Sequence, residues 1–490
     1  MATFVVGFGN RGFFPPEYMS EARRELPQVL EDLGHDTILM DEGATRLGAV
    51  ETREEGDRFA EFLEGQVGKY DGIIWSHPNF GDEVGMKRAL RAAGKRDDKL
   101  LLHAYPDDMS RMGPDERRDS FCGIVSTMDV LYQMGVPFVK LPPHVIAPQS
   151  PRFAENIAKF AKICAGESVD TFQRVKPVPT TGGENILDGM ILLALGARTS
   201  PFYTTRFNEL DGERNGITVE TADLSMVFHR MDELDRAAVG YRKKVDTLKK
   251  YSNWDRVPEK AFDQQVRLAV VVDEYIEEFH PDAIAIRCWT EFEEIRNISP
   301  CATLSLVNHR GVPMACEVDL GNAIAMAVMR RFSNDAVACQ DWNNNWHEEE
   351  EKFCFMHCGP HQTEWLKPNH YVDTHGILDH AFGKGTGFGC IQGRFAPTDF
   401  TYGSCSSEKG KLKFYFGEGR VTDDELPANY FGAGGVAEIK GLQDVLCHVG
   451  YEGYKHHFSM TRGHVADEVI AALRGHPGYE VTDLREYVRR

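Results

Sequence analysis

Apolar residues in the first 170 positions follow two alternating rhythms. Short runs at 3–9 (TFVVGFG), 35–41 (HDTILMD), 70–78 (YDGIIWSHP) and 99–105 (KLLLHAY) have the length and composition of buried strands. Between them, PEYMSEARRELPQVLEDLG at 16–34, the segment 52–67 and KRALRAAG at 87–94 repeat their apolar positions every three or four residues, as amphipathic helices do. Such alternation predicts an α/β fold that begins with a Rossmann-like, parallel-sheet N-terminal domain over residues 1–174.

The rhythm changes after the turn-rich VKPVPTTGGEN at 175–185. ILDGMILLALGA at 186–197 reads as helix and AIAIRCWTEFEEI at 283–295 as strand and helix, which gives a second α/β domain over 175–348. WNNNWHEEEEK at 342–352 is polar and turn-prone, and a boundary is expected there. Beyond it, glycines and aromatics alternate in pieces such as KGKLKFYFGEGR at 409–420 and VAEIKGLQDVLCHV at 436–449, predicting a β-rich antiparallel C-terminal domain over 349–490. TRGHVADEVIAALRG at 461–475 is a late helix, and no repeat or low-complexity tract is visible.

Composition narrows the partners. The 490 residues are 42% hydrophobic and 27% charged, ordinary for a folded chain, and the length predicts more than one domain. A formal charge of -20 argues against nucleic acid, whose phosphates are bound by clustered Lys and Arg, so a small molecule is the expected ligand. Eleven cysteines are too sparse for a disulfide scaffold, MATFVVGFGNRGFF lacks the layout of a signal peptide, and there is no apolar run long enough to span a membrane. A reduced, cytoplasmic setting is expected.

Four motifs offer chemistry. GFGNRG at 7–12 matches the dinucleotide-binding glycine pattern, with Asp41 where the ribose acid would stand, but Phe13-Phe14-Pro15-Pro16 separates the glycines from the helix whose N-terminus should hold the pyrophosphate. The alternative is the sheet's own tight turn. Cys354, Cys358 and His361 suggest zinc, yet no second ligand pair of similar spacing follows, so buried thiols are the better reading. His456 and His457 resemble a strand with one imidazole inward and one outward. In PMACEVDLGNAIAMAVMRR at 313–331, Asp319 suits the N-cap of a helix starting near Leu320, whereas Glu317 falls at the end of a buried strand, where an ionised carboxylate needs a compensating partner. If Glu317, Asp341 and one imidazole of the pair meet, they suit a hard or borderline divalent ion such as manganese.

Taken together, DGIIWSHPNFGDE at 71–83, RRDSFCG at 117–123, GARTSPFYTTRFNE at 196–209, ACEVDLGNA at 315–323, DWNNNW at 341–346, FMHCG at 355–359 and KHHFSM at 455–460 make the chain similar to the L-fucose isomerase and L-arabinose isomerase superfamily over nearly its whole length. The resemblance implies an aldose-ketose isomerase using Mn2+ or another divalent cation, with Glu317, Asp341 and His457 as ligands and His357 added in the arabinose branch. It implies Glu317 and Asp341 as the acid-base pair of an ene-diol proton transfer, and Arg11, Asn79, Arg206 and His456 as sugar contacts. It further implies a homo-oligomer, trimer or dimer of trimers, and a free sugar substrate: a pentose, a deoxyhexose or a modified hexose such as sulfoquinovose. Two rivals stand beside it: a non-catalytic sugar-binding or regulatory protein, and an NAD-dependent oxidoreductase that would use Gly7 to Gly12.

Overall fold

The computed structural model describes residues 1–489, which pack as two compact units. One unit comprises residues 1–174, 342–353 and 441–456; the other comprises 175–341, 354–440 and 457–490, of which 490 lies outside the described residues. The fold is mixed α/β, with parallel sheets early in the chain and a large mixed sheet late in it.

The first unit is built on four parallel strands, β1 (Thr3–Phe8), β2 (Asp36–Leu39), β3 (Gly72–His77) and β4 (Leu100–Ala104), in the order β2-β1-β3-β4. Every residue of β3 and β4 is buried, as expected where helices cover both faces. The intervening helices are Pro16–Asp32, Arg53–Glu64 and Glu83–Arg96. The second starts with a capping box: the Thr52 hydroxyl accepts from the Glu55 amide while Glu55 reaches back to the Thr52 amide.

In the second unit, β5 (Met190–Leu195), β6 (Ile217–Ala222), β7 (Ala283–Ile286) and the two-residue β8 (Met314–Ala315) form another parallel sheet, ordered β6-β5-β7-β8. Here the expected helix at 186–197 is corrected to strand. MILLAL is an unbroken apolar run because both faces of β5 are covered, so it carries no alternating signature, and its leucines mimic a buried helix.

Nine further strands make one sheet: β9 (Ala338–Asn345), β10 (Lys352–His357), β11 (Tyr371–Thr374), β12 (Phe388–Arg394), β13 (Thr398–Glu408), β14 (Lys411–Val421), β15 (Ala433–Glu438), β16 (His457–Arg462) and β17 (Tyr479–Asp483). Their order is β11-β12-β15-β10-β9-β16-β13-β14-β17, and β14 also pairs with β15, so the strands from β15 to β14 close into a ring. The ring matters because β9, β10 and β16 bring distant residues side by side.

Two local readings change here. The asparagines of WNNNW are buried in β9, so the turn is confined to the residues between β9 and β10. GLQDVLCHV is a helix, Leu442–Tyr451, with Leu442, Val445, Leu446 and Val449 buried at helical spacing after Gly441 starts it from a left-handed φ of 69°. Among the described residues, no helix is long and apolar enough to cross a membrane.

Candidate metal centre

The site lies within the second unit and starts from β8. After Ala315 and the buried Cys316, Glu317 and Val318 both adopt left-handed backbone, with φ of 57° and 55°. Consecutive non-glycine residues rarely do this, at roughly 1–2 kcal/mol each. The turn is held by the Asp319 amide on Cys316 O at 3.0 Å and the Val318 amide on Ile286 O at 3.1 Å. It ends the strand and lets Asp319 start the helix Leu320–Phe332, its Oδ1 accepting the Asn322 amide at 2.9 Å. Asp319 is the expected cap.

Asp319 has a second task that the sequence did not reveal. Its Oδ2 accepts the Nδ1–H of His457 at 2.9 Å, with both side chains fully buried. A carboxylate on Nδ1 fixes the tautomer and leaves the lone pair on Nε2. That nitrogen stands 3.6 Å from Glu317 Oε2 and 3.5 Å from Asp341 Oδ1. Asp341 arrives by strand pairing, since His457 of β16 is its register partner on β9. Cross-strand neighbours share a face, so pairing itself sets one edge of the site.

His357, at the end of β10, adds an Nε2 located 3.9 Å from Asp341 Oδ1. Its Nδ1 accepts the Cys358 amide at 2.9 Å. A backbone N–H can only donate, so the neutral ring carries its proton on Nε2 and points an N–H towards Asp341. The two imidazoles are thus set oppositely: His457 presents a lone pair to the carboxylates, His357 a proton.

The electrostatics call for a cation. Three carboxylates, Glu317, Asp319 and Asp341, converge in a region where Glu317 is 6% exposed and Asp319 is fully buried. Burial pushes the Asp341 carboxyl up to about 6, the two histidines oppose that rise, and the Glu317 charge adds to it. Two carboxylate oxygens and one imidazole nitrogen are the donors a hard or borderline divalent ion takes. Donors bound at about 2.1 Å from one ion stand roughly 3.0–3.4 Å apart, and His457 Nε2 stands 3.6 Å from Glu317 Oε2 and 3.5 Å from Asp341 Oδ1. The residues fit a metal.

Residues 5–167 match the fucose/sulfoquinovose isomerase N-terminal domain, and residues 355–481 match the L-fucose isomerase C-terminal domain. The chain belongs to the fucose isomerase-like family. Curated relatives within reach of this family member include sulfoquinovose isomerases of Priestia aryabhattai and Priestia megaterium, each 22% identical over 268 residues, which is 52% of this chain and 55% of theirs. Another, the sulfoquinovose isomerase of Alkalicoccus urumqiensis, is 27% identical over 144 residues, 29% of this chain and 32% of its own. The matched region thus spans about half the length of the Priestia relatives.

The remaining candidate residues of this fucose isomerase-like chain have surroundings of their own. Arg11 and Asn79 belong to the first unit. The Arg11 guanidinium lies 4.5 Å from the centre of the Phe80 ring, and Asn79 Nδ2 donates to Asn10 Oδ1 at 2.9 Å and to Pro15 O at 3.0 Å, tying down the glycine loop. Arg206, half-buried after a short turn in the second unit, stacks on Tyr203 at 3.9 Å. His456 immediately precedes β16, and one of its ring nitrogens lies within 4.8 Å of a Glu317 carboxylate oxygen and a His457 ring nitrogen. Both imidazoles of the pair are buried, at 3% and 0%, which corrects the expectation of one facing outward: in this sheet both faces are covered at that point.

The glycine motif has an internal explanation. A Cβ on Gly7 would come 2.7 Å from both Phe59 and Trp75, so the residue lets the sheet accept two large aromatics, and the helix begins only at Pro16. Cys354 and Cys358 are buried free thiols, while His361 is buried with Nδ1 3.4 Å from Gln340 Nε2.

Proposed function

We propose that this chain is a metal-dependent aldose-ketose isomerase acting on a free sugar by ene-diol proton transfer. The observation that carries the reading is the convergence of Glu317, Asp341 and the lone-pair nitrogen of His457, with Asp319 orienting the imidazole from behind. The family's two domains and the names of the curated relatives support it.

Glu317, Asp341 and His457 would hold a manganese or similar divalent ion, which when bound supplies Lewis-acid polarisation of the sugar carbonyl. The chain's own groups then move the protons. Glu317, on the strained turn, and Asp341, on β9, act as base and acid on opposite sides of the substrate's C1–C2 bond, each contributing about 10²–10⁴-fold. His357 directs its Nε2–H at the Asp341 carboxylate and steadies it.

The substrate class follows the relatives' printed name: a hexose bearing an anionic group, sulfoquinovose among the candidates. Arg11, Asn79, Arg206 and His456 are the proposed sugar contacts, in a cytoplasmic homo-oligomer. The divisions 1–174, 175–348 and 349–490 belong to the same proposal, and limited proteolysis tests them. The deciding experiment is a panel of aldoses, including sulfoquinovose, with MnCl2 and ketose formation as readout. Turnover lost in Glu317→Gln supports the reading; ketose formation unchanged in that variant refutes it.

A further inference from the structure

Behind the carboxylate site lies a group of buried sulfurs that the isomerase reading does not use. Cys316 follows β8, Cys358 follows β10, Cys288 follows β7 and Cys301 opens the helix Cys301–His309, so four separate elements deliver them. All four are free thiols, at most 5% exposed. Cys316 Sγ is 2.9 Å from Cys288 Sγ, and Cys301 and Cys316 are both neighbours of Cys358. The tightest part is a triad: Cys316, Cys358 and His357 place one ligand atom each within 4.8 Å of one another, with His357 Nδ1 at 3.2 Å from Cys358 Sγ. No spacing in the sequence announces it, because its members are 41 and 42 positions apart along the chain, 316 against 357 and 358.

We infer that Cys316, Cys358 and His357 Nδ1 form a second metal site, selective for a thiophilic d¹⁰ cation of the zinc class and distinct from the carboxylate site. Three lines of geometry support it. Sulfur and imidazole are the donors soft and borderline ions select, whereas the neighbouring carboxylates suit harder ones. Around a tetrahedral zinc, sulfurs at about 2.3 Å and nitrogen at about 2.0–2.1 Å stand roughly 3.5–3.8 Å apart, within the spacing of the triad. His357 Nδ1 already carries its lone pair inward, since it accepts the Cys358 amide, and that bond yields to the ion.

The two sites are then linked through one ring. With Nδ1 on the soft ion, the His357 Nε2–H is left on the side of Asp341, whose Oδ1 is 3.9 Å away, so the two sites are neighbours across this ring. Cys316 is bonded in sequence to Glu317, so the same ion also anchors the strained turn that carries that side chain. On binding, two S–H bonds are exchanged for two sulfur–metal bonds and two protons leave to solvent. Cys288 or a water completes four-coordination.

The test uses the full chain and does not depend on turnover. With MnCl2 saturating the carboxylate site, CdCl2 is added until the near-ultraviolet absorbance is constant, and bound ions are counted by mass spectrometry of the desalted protein. One Cd2+ per chain with a thiolate charge-transfer band is expected, both being lost in Cys316→Ser and Cys358→Ser and kept in Cys447→Ser, whose thiol belongs to the first unit. Retention of Mn2+ binding by the serine variants shows that they are folded. Wild-type protein that shows no thiolate band, or a band that survives in the Cys316→Ser/Cys358→Ser double variant, overturns the inference.

Discussion

Replacing Asp319 with Asn isolates what orients the centre. The amide oxygen still accepts from the Asn322 N–H, so the helix keeps its cap. Its NH2, however, now faces His457 Nδ1 at the position where a carboxylate accepted 2.9 Å away. Two donors cannot face each other, so the imidazole shifts its proton to Nε2, and that N–H turns on Glu317 and Asp341, the groups 3.6 and 3.5 Å away. The lone pair that should bind metal is gone. Changes of this kind typically weaken metal binding about 10–100-fold, or roughly 1.4–2.7 kcal/mol. Calorimetric titration with MnCl2 should show that loss, with a melting temperature near that of the parent. Asp319→Ala should add a stability loss of about 1 kcal/mol because the cap goes too. Manganese affinity of Asp319→Asn within threefold of the parent would refute the tautomer argument; so would a loss of affinity accompanied by an equally large fall in melting temperature.

Other outcomes follow from separate features. Isomerisation run in deuterium oxide should leave solvent deuterium on C1 of the ketose, seen by NMR; complete internal transfer without solvent label excludes the Glu317 and Asp341 proton route. Glu293 is 2% exposed, and burial pushes its carboxyl from 4.5 to about 8 against the Ser299 hydrogen bond. The folded state therefore keeps a proton that the unfolded chain loses, so this group's contribution is fully present below about 4.5 and falls by about 1.4 kcal/mol per pH unit up to about 8. Glu293→Gln should flatten urea-unfolding stability over that window and gain on the parent as pH rises; equal slopes in both proteins would contradict it. Gly7→Ala should cost about 1–3 kcal/mol by chemical denaturation, because the new methyl would sit 2.7 Å from Phe59 and Trp75. Unchanged stability there would show that the aromatics move aside freely.

Much of this was legible in the order of residues. Strands β1 to β4 and their helices were readable because each is a local pattern: a short apolar run, or an amphipathic repeat started by a cap such as Thr52. The anomaly at Glu317 and the capping role of Asp319 were visible for the same reason, since both follow from neighbours a few positions away. Residue-level patterning failed where burial erased the periodicity, as in Met190–Leu195, or where a helix hid inside a glycine-rich region, as in Leu442–Tyr451.

Only the tertiary structure decided the rest. His457 meets Asp319 across 138 positions, and its meeting with Asp341 depends on the register of β16 against β9. Which imidazole nitrogen bears a proton is set by the group on the other nitrogen, a carboxylate for His457 and a backbone amide for His357. Local sequence fixes what a side chain is able to donate or accept; the partner that selects among those options is delivered by chain pairing over long distances, and no short-range pattern encodes it.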